Sequence, residues 1–186
     1  MPDRRHALLT LAALAAATTL PAAAEENTYD QPSILKDVED FFGETTEGLG
    51  KILEKAFAEQ GRPNAVIKGE EVAAAVTVGL RYGNGYLTMK GRRKTRVYWT
   101  GPSIGIDLGA NASKVYVLVY RLPKPSDIFQ RFPGVEGSVY YVGGAGINYQ
   151  RRGHIVLAPI RLGVGLRGGA SVGYMNYTRR KTWNPI

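Results

Sequence analysis

The sequence has 186 residues, enough for one domain, and contains no cysteine. The absence of cysteine excludes thiol enzymes, iron–sulfur proteins and cysteine-ligated zinc sites. Charge is divided unevenly, because residues 25–74 contain 12 acidic and 5 basic residues whereas residues 75–186 contain 3 acidic and 17 basic residues. The carboxy-terminal part is therefore expected to attract anions, and the two parts are expected to attract each other.

Residues 1–24 have the three-part order of a secretory signal peptide. Arg4 and Arg5 lie in a short basic region, an uncharged stretch follows, and Ala22 and Ala24 occupy the small-residue positions of a cleavage site. The uncharged stretch is shorter than the roughly 20 apolar residues that span a bilayer. We therefore predict cleavage and a periplasmic product, with an uncleaved membrane anchor as the alternative. Export by the general secretion route and by the twin-arginine route both fit the sequence.

Two amphipathic helices are predicted within residues 25–62, an acidic leader to the main domain. Residues 33–42 place apolar side chains at spacings of three and four, and a second stripe of this kind follows. Thr45 or Thr46 is suited to cap the second helix, and Gly61 ends it. The two stripes are expected to cover apolar surface of the main domain, with a mobile lid as the alternative.

Residues 63–186 have the pattern of an antiparallel β-domain. Most of the 23 glycines lie here and separate short runs rich in Val, Ile and Tyr. This pattern favours a mainly β fold, a small antiparallel β-barrel preceded by the acidic helical segment. The Asn84-Gly85 pair predicts a tight hairpin turn, and residues 126–131 predict one helical turn. The predicted strands are residues 65–68, 72–82, 86–90, 95–100, 104–108, 114–122, 135–142, 145–150, 154–160, 163–167 and 171–177.

Residues 98–110 carry a Trp-Thr-Gly-Pro-Ser segment and then a glycine-spaced strand that ends near Asp107. This arrangement, followed by the apolar run of residues 114–120, resembles the core of SYLF lipid-binding domains. Residues 83–87 resemble the glycine-rich hairpin that precedes that core. The resemblance implies that the domain binds lipid.

A second resemblance covers residues 65–186. The segments that carry it are residues 67–71, 79–83, 99–109, 137–144, 158–161, 163–167 and 183–185. Together they are similar to the periplasmic envelope-integrity proteins typified by EipA. The similarity implies a small periplasmic β-barrel with a role in envelope homeostasis, and it implies no particular ligand.

The densest cluster of positive charge is formed by Arg92, Arg93, Lys94 and Arg96, which follow a predicted strand. Such a loop is either a solvated turn or a contact for phosphate or lipid headgroups, because each cation near an anionic membrane adds about 1 kcal/mol of attraction. An exported protein meets anionic lipids and glycolipids rather than nucleic acid. The predicted partner is therefore an anionic lipid or an envelope glycolipid, with peripheral membrane contact and other envelope proteins as further partners.

Arg161 and Arg167 lie in glycine-rich predicted strands, where an inward-facing arginine must be paired or must face water. The available acidic partners are Asp107, Glu70 and Glu71. Two interpretations stay open: buried ion pairs that hold the barrel, which we expect for Arg161, and a polar cleft for an anionic ligand, which we expect for Arg167. Trp99 is a further candidate, because its polar edge suits an amphipathic ligand. Trp99, Asp107, Arg161 and Arg167 therefore join the basic cluster as candidate ligand-binding residues.

Catalytic chemistry would have to use His154, the only histidine after the signal peptide. Only three acidic residues follow residue 74, so neither a metal site nor a pair of catalytic carboxylates is expected. The Gly-x-Gly-x-x-G sequence at residues 163–168 precedes no predicted helix, so no nucleotide cofactor is expected. We predict a protein that is not an enzyme and needs no cofactor. The alternatives are an enzyme that acts on envelope glycan or lipid and a protein-interaction scaffold.

Overall fold

Two helices and then ten strands make up the computed structural model, which describes residues 27–75, 78–104, 112–163 and 173–182. The helices are α1 (Gln31–Phe42) and α2 (Glu47–Gln60), and a 3₁₀ helix spans Pro125–Ile128. The strands are β1 (Ala65–Ala75), β2 (Val78–Met89), β3 (Thr95–Ile104), β4 (Ser113–Tyr120), β5 (Arg131–Pro133), β6 (Tyr140–Val142), β7 (Ala145–Ile147), β8 (Gln150–Arg152), β9 (Ile155–Leu162) and β10 (Tyr174–Thr178). Within the described residues, no helix has the length and apolar character needed to cross a membrane.

Side-chain caps determine where both helices begin. Asp30 and Thr46 each accept a hydrogen bond from a backbone N–H in the first turn of the helix, at 2.9 Å and 3.2 Å. Each helix ends at a glycine with positive φ, 80° at Gly43 and 79° at Gly61. The two predicted helices are confirmed, and α1 begins two residues earlier than predicted because Pro32 is tolerated in the first turn.

All ten strands belong to one antiparallel sheet with the order β5-β10-β3-β2-β1-β4-β9-β7-β6, and β8 also pairs with β9. The sheet curls until Gly134, which follows β5, forms a β-bridge with Gln150 of β8. The backbone N–H of Val135 donates to the carbonyl of Tyr149 beside this bridge, at 2.9 Å. The curled sheet confirms the predicted antiparallel barrel.

Successive side chains along each strand point to opposite faces of the sheet, so the buried residues form two cores, one inside the barrel and one outside it. The inner core fills the barrel with side chains from β1 to β5, β9 and β10; its largest contributors include Ile67, Leu87, Trp99, Phe132, Leu157 and Tyr177. The outer core lies between the two helices and the outer face of β1, β4, β7 and β9; it includes Ile34, Leu49, Ile52, Tyr116, Leu118, Ile147 and Ile160. The helices therefore cover one side of the barrel wall, as the apolar stripes predicted.

Polar contacts join α1 to the barrel wall. The hydroxyl of Tyr116 donates to Asp37 of α1 at 2.6 Å, and Lys68 forms an ion pair with the same carboxylate. Lys114 donates to the carbonyl of Phe41 at 2.9 Å, where the end of α1 carries partial negative charge. These contacts attach α1 to β1 and β4 at the edge of the outer core.

The predicted hairpin turn at Asn84-Gly85 is wrong, because β2 continues through both residues. Gly85 lies opposite Gly69 of β1, and a Cβ atom at Gly85 would lie 2.3 Å from the carbonyl oxygen of Lys68. The glycines of this strand allow close approach of neighbouring groups rather than a turn. For the same reason β1 is continuous through Gly69, where the sequence predicted two separate strands.

Other strand boundaries also differ from the prediction. The predicted strand at residues 135–142 is reduced to β6, because the Ser138 N–H donates back to the carbonyl of Val135 and Gly137 has φ 67°. The predicted strand at residues 145–150 is divided between β7 and β8, and the predicted helical turn ends at Ile128. Residues 76–77, 105–108, 164–167 and 171–172 of the predicted strands lie outside the described residues.

The contact between α2 and the turn after β6 predicts opposite effects for two alanine substitutions in one helix. A Cβ atom at Gly48 would lie 2.3 Å from the carbonyl oxygen of Val142, whereas Gly50 has open space around it. We expect Gly48→Ala to destabilise the fold by about 1–3 kcal/mol through overpacking. Gly50→Ala should stabilise it by about 0.5–1 kcal/mol through helix propensity. Chemical denaturation measures both, and equal effects would contradict the packing of α2.

Candidate functional site

An ion pair is buried inside the barrel, between Glu71 of β1 and Arg161 of β9. Their strands are linked through β4, because Gly69 lies opposite Val115 and Val115 lies opposite Arg161. Glu71 is the next inward-facing residue after Gly69. Arg161 Nε lies 2.5 Å from Glu71 Oε1, and Arg161 Nη2 lies 3.2 Å from Glu71 Oε2. Arg81 of β2 approaches the same carboxylate at 3.5 Å.

Trp99 of β3 completes this interior cluster. Its indole Nε1 donates to Glu71 Oε2 at 3.2 Å. The ring lies against the backbone of β2, because a Cβ atom at Gly83 would be 2.1 Å from Cε2 of the indole. Asn148, between β7 and β8, accepts a hydrogen bond from Arg161 Nη1 at 3.1 Å. One carboxylate thus connects residues from separate parts of the sheet.

Electrostatics keep Glu71 ionised despite its burial. Burial alone would raise the pKa of this carboxyl group, but the charges of Arg161 and Arg81 outweigh that effect and lower the pKa to about 2. Because the pKa in the folded state is below the ordinary value, the carboxylate stabilises the fold at neutral pH. That contribution is lost as the pH falls through the ordinary carboxyl range toward 2.

The interior cluster accounts for two of the candidate ligand-binding residues. Arg161 is 7% exposed and Trp99 is 3% exposed, and the polar groups of both are directed to Glu71. Of the acidic partners that the sequence offered, Glu71 pairs with Arg161. Two other candidates, Asp107 and Arg167, lie outside the described residues.

Arg92, Arg93 and Lys94 occupy the turn between β2 and β3 and are exposed. The turn is shaped by Gly91, whose φ is 73°, and by a hydrogen bond from the Arg92 N–H to the carbonyl of Met89 at 3.0 Å. Within the part of the chain that the structure describes, these three side chains form no hydrogen bond or ion pair. Their charge is therefore available to an external anion.

Other connections place further cations at the same end of the barrel. The strand register shows this, because Met89 lies opposite Ala65, Ala65 lies opposite Val119, and the following residue Tyr120 lies opposite Val156. The last residues of β2, β4 and β8 and the start of β9 therefore share one end, and β10 also ends there beside the start of β3. We call this surface the basic end; its exposed cations include Arg92, Arg93, Lys94, Arg121, Lys124, Arg151, Arg152, Arg179 and Arg180.

The local partners of the basic end leave most of its positive charge uncompensated. Arg121 Nε donates to the carbonyl of His154 at 2.7 Å, and Arg152 Nη1 donates to the carbonyl of Arg131 at 3.2 Å. These carbonyls are neutral, so both guanidinium charges persist. Lys124 forms a long ion pair with Asp127 at 3.7 Å. The sequence predicted the β2–β3 part of this surface and missed the rest, because the other cations are distant along the chain.

Arg96 does not belong to the exposed turn but lies on the outer wall of the barrel. Its guanidinium carbon lies 4.6 Å from the ring centroid of Tyr86 and 5.3 Å from that of Tyr98. Arg96 Nη2 donates to Asn84 Oδ1 at 2.5 Å. Tyr82 continues the row on β2. We call Tyr82, Asn84, Tyr86, Arg96 and Tyr98 the tyrosine wall.

Sequence reasoning missed the tyrosine wall, although a signal for it exists. Tyr82, Asn84 and Tyr86 alternate along β2, and Arg96 alternates with Tyr98 along β3, so each set shares a strand face. Interpreting Asn84-Gly85 as a turn placed the tyrosines on different strands and concealed the common face.

Groups suited to metal chemistry are not gathered in the described part of the chain, where no three His, Cys, Asp or Glu side chains lie together. His154 is exposed in the turn between β8 and β9. The features on which a function can rest are therefore the basic end and the tyrosine wall.

The family model of envelope integrity protein A, EipA, matches residues 27–186. The chain belongs to the EipA family. This confirms the family resemblance inferred from the sequence, and the family description indicates a role in envelope integrity. A comparison with curated proteins finds no match.

A crystal structure of a beta-barrel-like, uncharacterised protein from Brucella abortus is similar to this EipA-family chain. The two are 41% identical and superpose with a TM-score of 0.80. The alignment covers 86% of this chain and 99% of the Brucella chain. The similarity extends to nearly the whole of that protein, so the barrel-like architecture is common to both.

The interior cluster of this EipA-family protein predicts that Arg161 contributes to the stability of the fold. Arg161→Met should destabilise the fold by about 3–5 kcal/mol, because it leaves the carboxylate of Glu71 without its closest partner. The double variant Arg161→Met with Glu71→Gln should lose less than the sum of the two single losses. Arg180→Met, at an exposed position, should change stability by no more than about 0.5 kcal/mol. Thermal and urea unfolding measure all four variants, and an unchanged stability of Arg161→Met would contradict the structural role.

Proposed function

We propose that this EipA-family protein is a non-enzymatic periplasmic protein that supports the envelope by binding the anionic headgroup of a lipid or glycolipid. The observation that carries the proposal is the basic end, where exposed cations from two strand connections, from β8 and from the segment after β10 lie at one end of the barrel. A cation near an anionic membrane surface gains about 1 kcal/mol, so several acting together are enough for reversible attachment.

The distribution of the acidic residues supports an oriented attachment. The helices, which carry much of the negative charge, lie along the wall formed by β1, β4, β7 and β9. The basic end is formed mainly by turns between strands and by the segment after β10. The field of the protein therefore favours an approach in which the basic end meets an anionic surface first.

Two features favour binding over catalysis. The carboxylate of Glu71 is held by Arg161, Arg81 and Trp99, so its lone pairs are committed to the fold and it carries no proton to donate. Residues 101–105 match the Gly-x-Ser-x-Gly pattern of hydrolases, in which the serine stands at a sharp turn from strand to helix. Here Ser103 is a residue of β3 paired with Gly79 in the ladder, which is a different backbone setting.

A periplasmic location is part of the proposal and depends on residues 1–24. The basic region, the uncharged stretch and the Ala22-x-Ala24 site support removal of this segment by a signal peptidase. The EipA family match begins at residue 27, directly after this segment.

Cleavage after Ala24 predicts a mature protein that begins at Glu25. Expression of the full chain in a bacterium that exports it, followed by intact-mass measurement of the periplasmic fraction, tests this. The expected mass is that of residues 25–186. A product that retains residues 1–24 and stays with the membrane would support the anchor alternative instead.

The basic end predicts binding to anionic vesicles that depends on its arginines. Binding to phosphatidylcholine vesicles should rise with the fraction of phosphatidylglycerol and fall with salt, because screening acts beyond about 8 Å at physiological ionic strength. Arg92→Gln with Arg93→Gln should weaken binding by roughly fivefold for each charge removed. Co-sedimentation across a range of lipid concentrations measures the affinity.

The matched control removes two exposed cations from the helices. Lys36→Gln with Lys51→Gln changes the net charge by the same amount and lies away from the basic end. This variant should bind the anionic vesicles nearly as well as the original protein. If both double variants lost the same amount of affinity for the vesicles, binding would depend on net charge alone and not on the basic end. If the original protein did not bind anionic vesicles, the proposed function would be contradicted.

A further inference from the structure

The tyrosine wall is adjacent to the basic end. β3 begins at Thr95, immediately after the exposed turn, and Arg96 and Tyr98 are its first two outward-facing residues. Tyr86 lies opposite Arg96 in the ladder. A molecule whose anionic group rests on the β2–β3 turn would therefore extend along this wall.

The strands of the wall carry no negative charge. β2 and β3 contain no Asp or Glu, and Arg96 lies on their outer face, whereas Arg81 of β2 faces the interior and pairs with Glu71. The helices cover β1, β4, β7 and β9 and leave the wall open. Tyr86, in the wall, is 47% exposed. The wall is thus an uncovered aromatic surface whose positive charge is that of Arg96, next to the β2–β3 turn, with Glu70 of β1 opposite Asn84 at its edge.

The register gives the wall an extended form. Tyr82 lies opposite Thr100 and Asn84 lies opposite Tyr98, so Tyr98 is diagonal to both Tyr82 and Tyr86. Diagonal neighbours on a sheet are roughly 7–8 Å apart. The three rings therefore form a zigzag along the barrel wall that is longer than one six-membered sugar ring.

We propose that the tyrosine wall binds the sugar units of an acidic glycolipid whose anionic groups lie on the basic end. The inference rests on the proposed function and narrows its ligand from any anionic lipid to a glycolipid. The C–H face of a sugar ring packs against the flat face of an aromatic ring, and its hydroxyl groups find partners in Asn84 and the tyrosine hydroxyls.

The polar groups of the wall distinguish sugar from acyl chain. An acyl chain offers no hydrogen-bond partner, so covering Arg96 and Asn84 with hydrocarbon would desolvate the polar N–H groups that their mutual hydrogen bond does not use. A sugar provides those partners. Arg96 is also held between two rings and bonded to Asn84, so its planar guanidinium is already oriented for a carboxylate or phosphate on the sugar.

The test compares two kinds of vesicle with equal surface charge. One contains phosphatidylcholine with phosphatidylglycerol, and the other contains phosphatidylcholine with rough lipopolysaccharide, an acidic glycolipid. The original protein should bind the glycolipid vesicles about tenfold more tightly, as expected for two aromatic contacts. Tyr86→Ala with Tyr98→Ala should remove this preference and leave binding to phosphatidylglycerol unchanged.

Two further variants separate sugar stacking from loss of structure. Tyr86→Phe keeps the ring and should retain most of the preference. Tyr141→Ala removes a half-buried tyrosine from β6, away from the wall, and should have no effect on it. Thermal unfolding of each variant establishes that it is folded before its binding is compared.

Each outcome of the vesicle comparison decides the inference. Equal binding of the original protein to both vesicles overturns the glycolipid assignment and leaves the proposed function standing. Equal loss on both vesicles in Tyr86→Ala with Tyr98→Ala overturns it too, because the wall would then contact any membrane interface. Binding to neither vesicle overturns the proposed function together with the inference.

Discussion

One buried carboxylate organises the interior of this barrel. Glu71 of β1 receives hydrogen bonds from Arg161 of β9 and Trp99 of β3 and pairs with Arg81 of β2, so four strands converge on its two oxygens. The cluster demands glycine at position 83, because the indole occupies the space where a Cβ atom would stand. Charges in such a cluster are expensive to bury and are retained when each has its partner, so removal of one partner costs far more than the pair itself contributes.

Around that interior, the acidic and basic parts of the chain have separate positions. The helices bury an apolar stripe against β1, β4, β7 and β9, and Asp37 meets Lys68 and Tyr116 at the seam. The cations of the strand connections remain outside this seam and gather at one end. The consequence is a protein whose charge is asymmetric in space as well as in sequence, which is the property that orients a protein on a charged surface.

The basic end and the tyrosine wall meet at the start of β3, where Arg93 and Arg96 are only three residues apart. Their environments differ nevertheless, because the first projects from a turn and the second is held between Tyr86 and Tyr98. An exposed arginine on a turn suits general attraction to anions. An arginine fixed by two rings and an amide suits recognition of a defined group, since less conformational entropy is lost on binding. Different residues thus serve the two roles: Arg93 general attachment, and Arg96 recognition of a ligand.

The sequence by itself determined the features that depend on local chemistry. The apolar stripes and the cap at Thr46 specify the helices, and the glycine-rich apolar runs specify an antiparallel sheet, because these signals act within a few residues. Tertiary structure decided which acid pairs with Arg161, that Asn84-Gly85 lies within a strand, and that distant cations share one end. These outcomes depend on strand order and register, since a single residue of register reverses the face of every side chain in a strand.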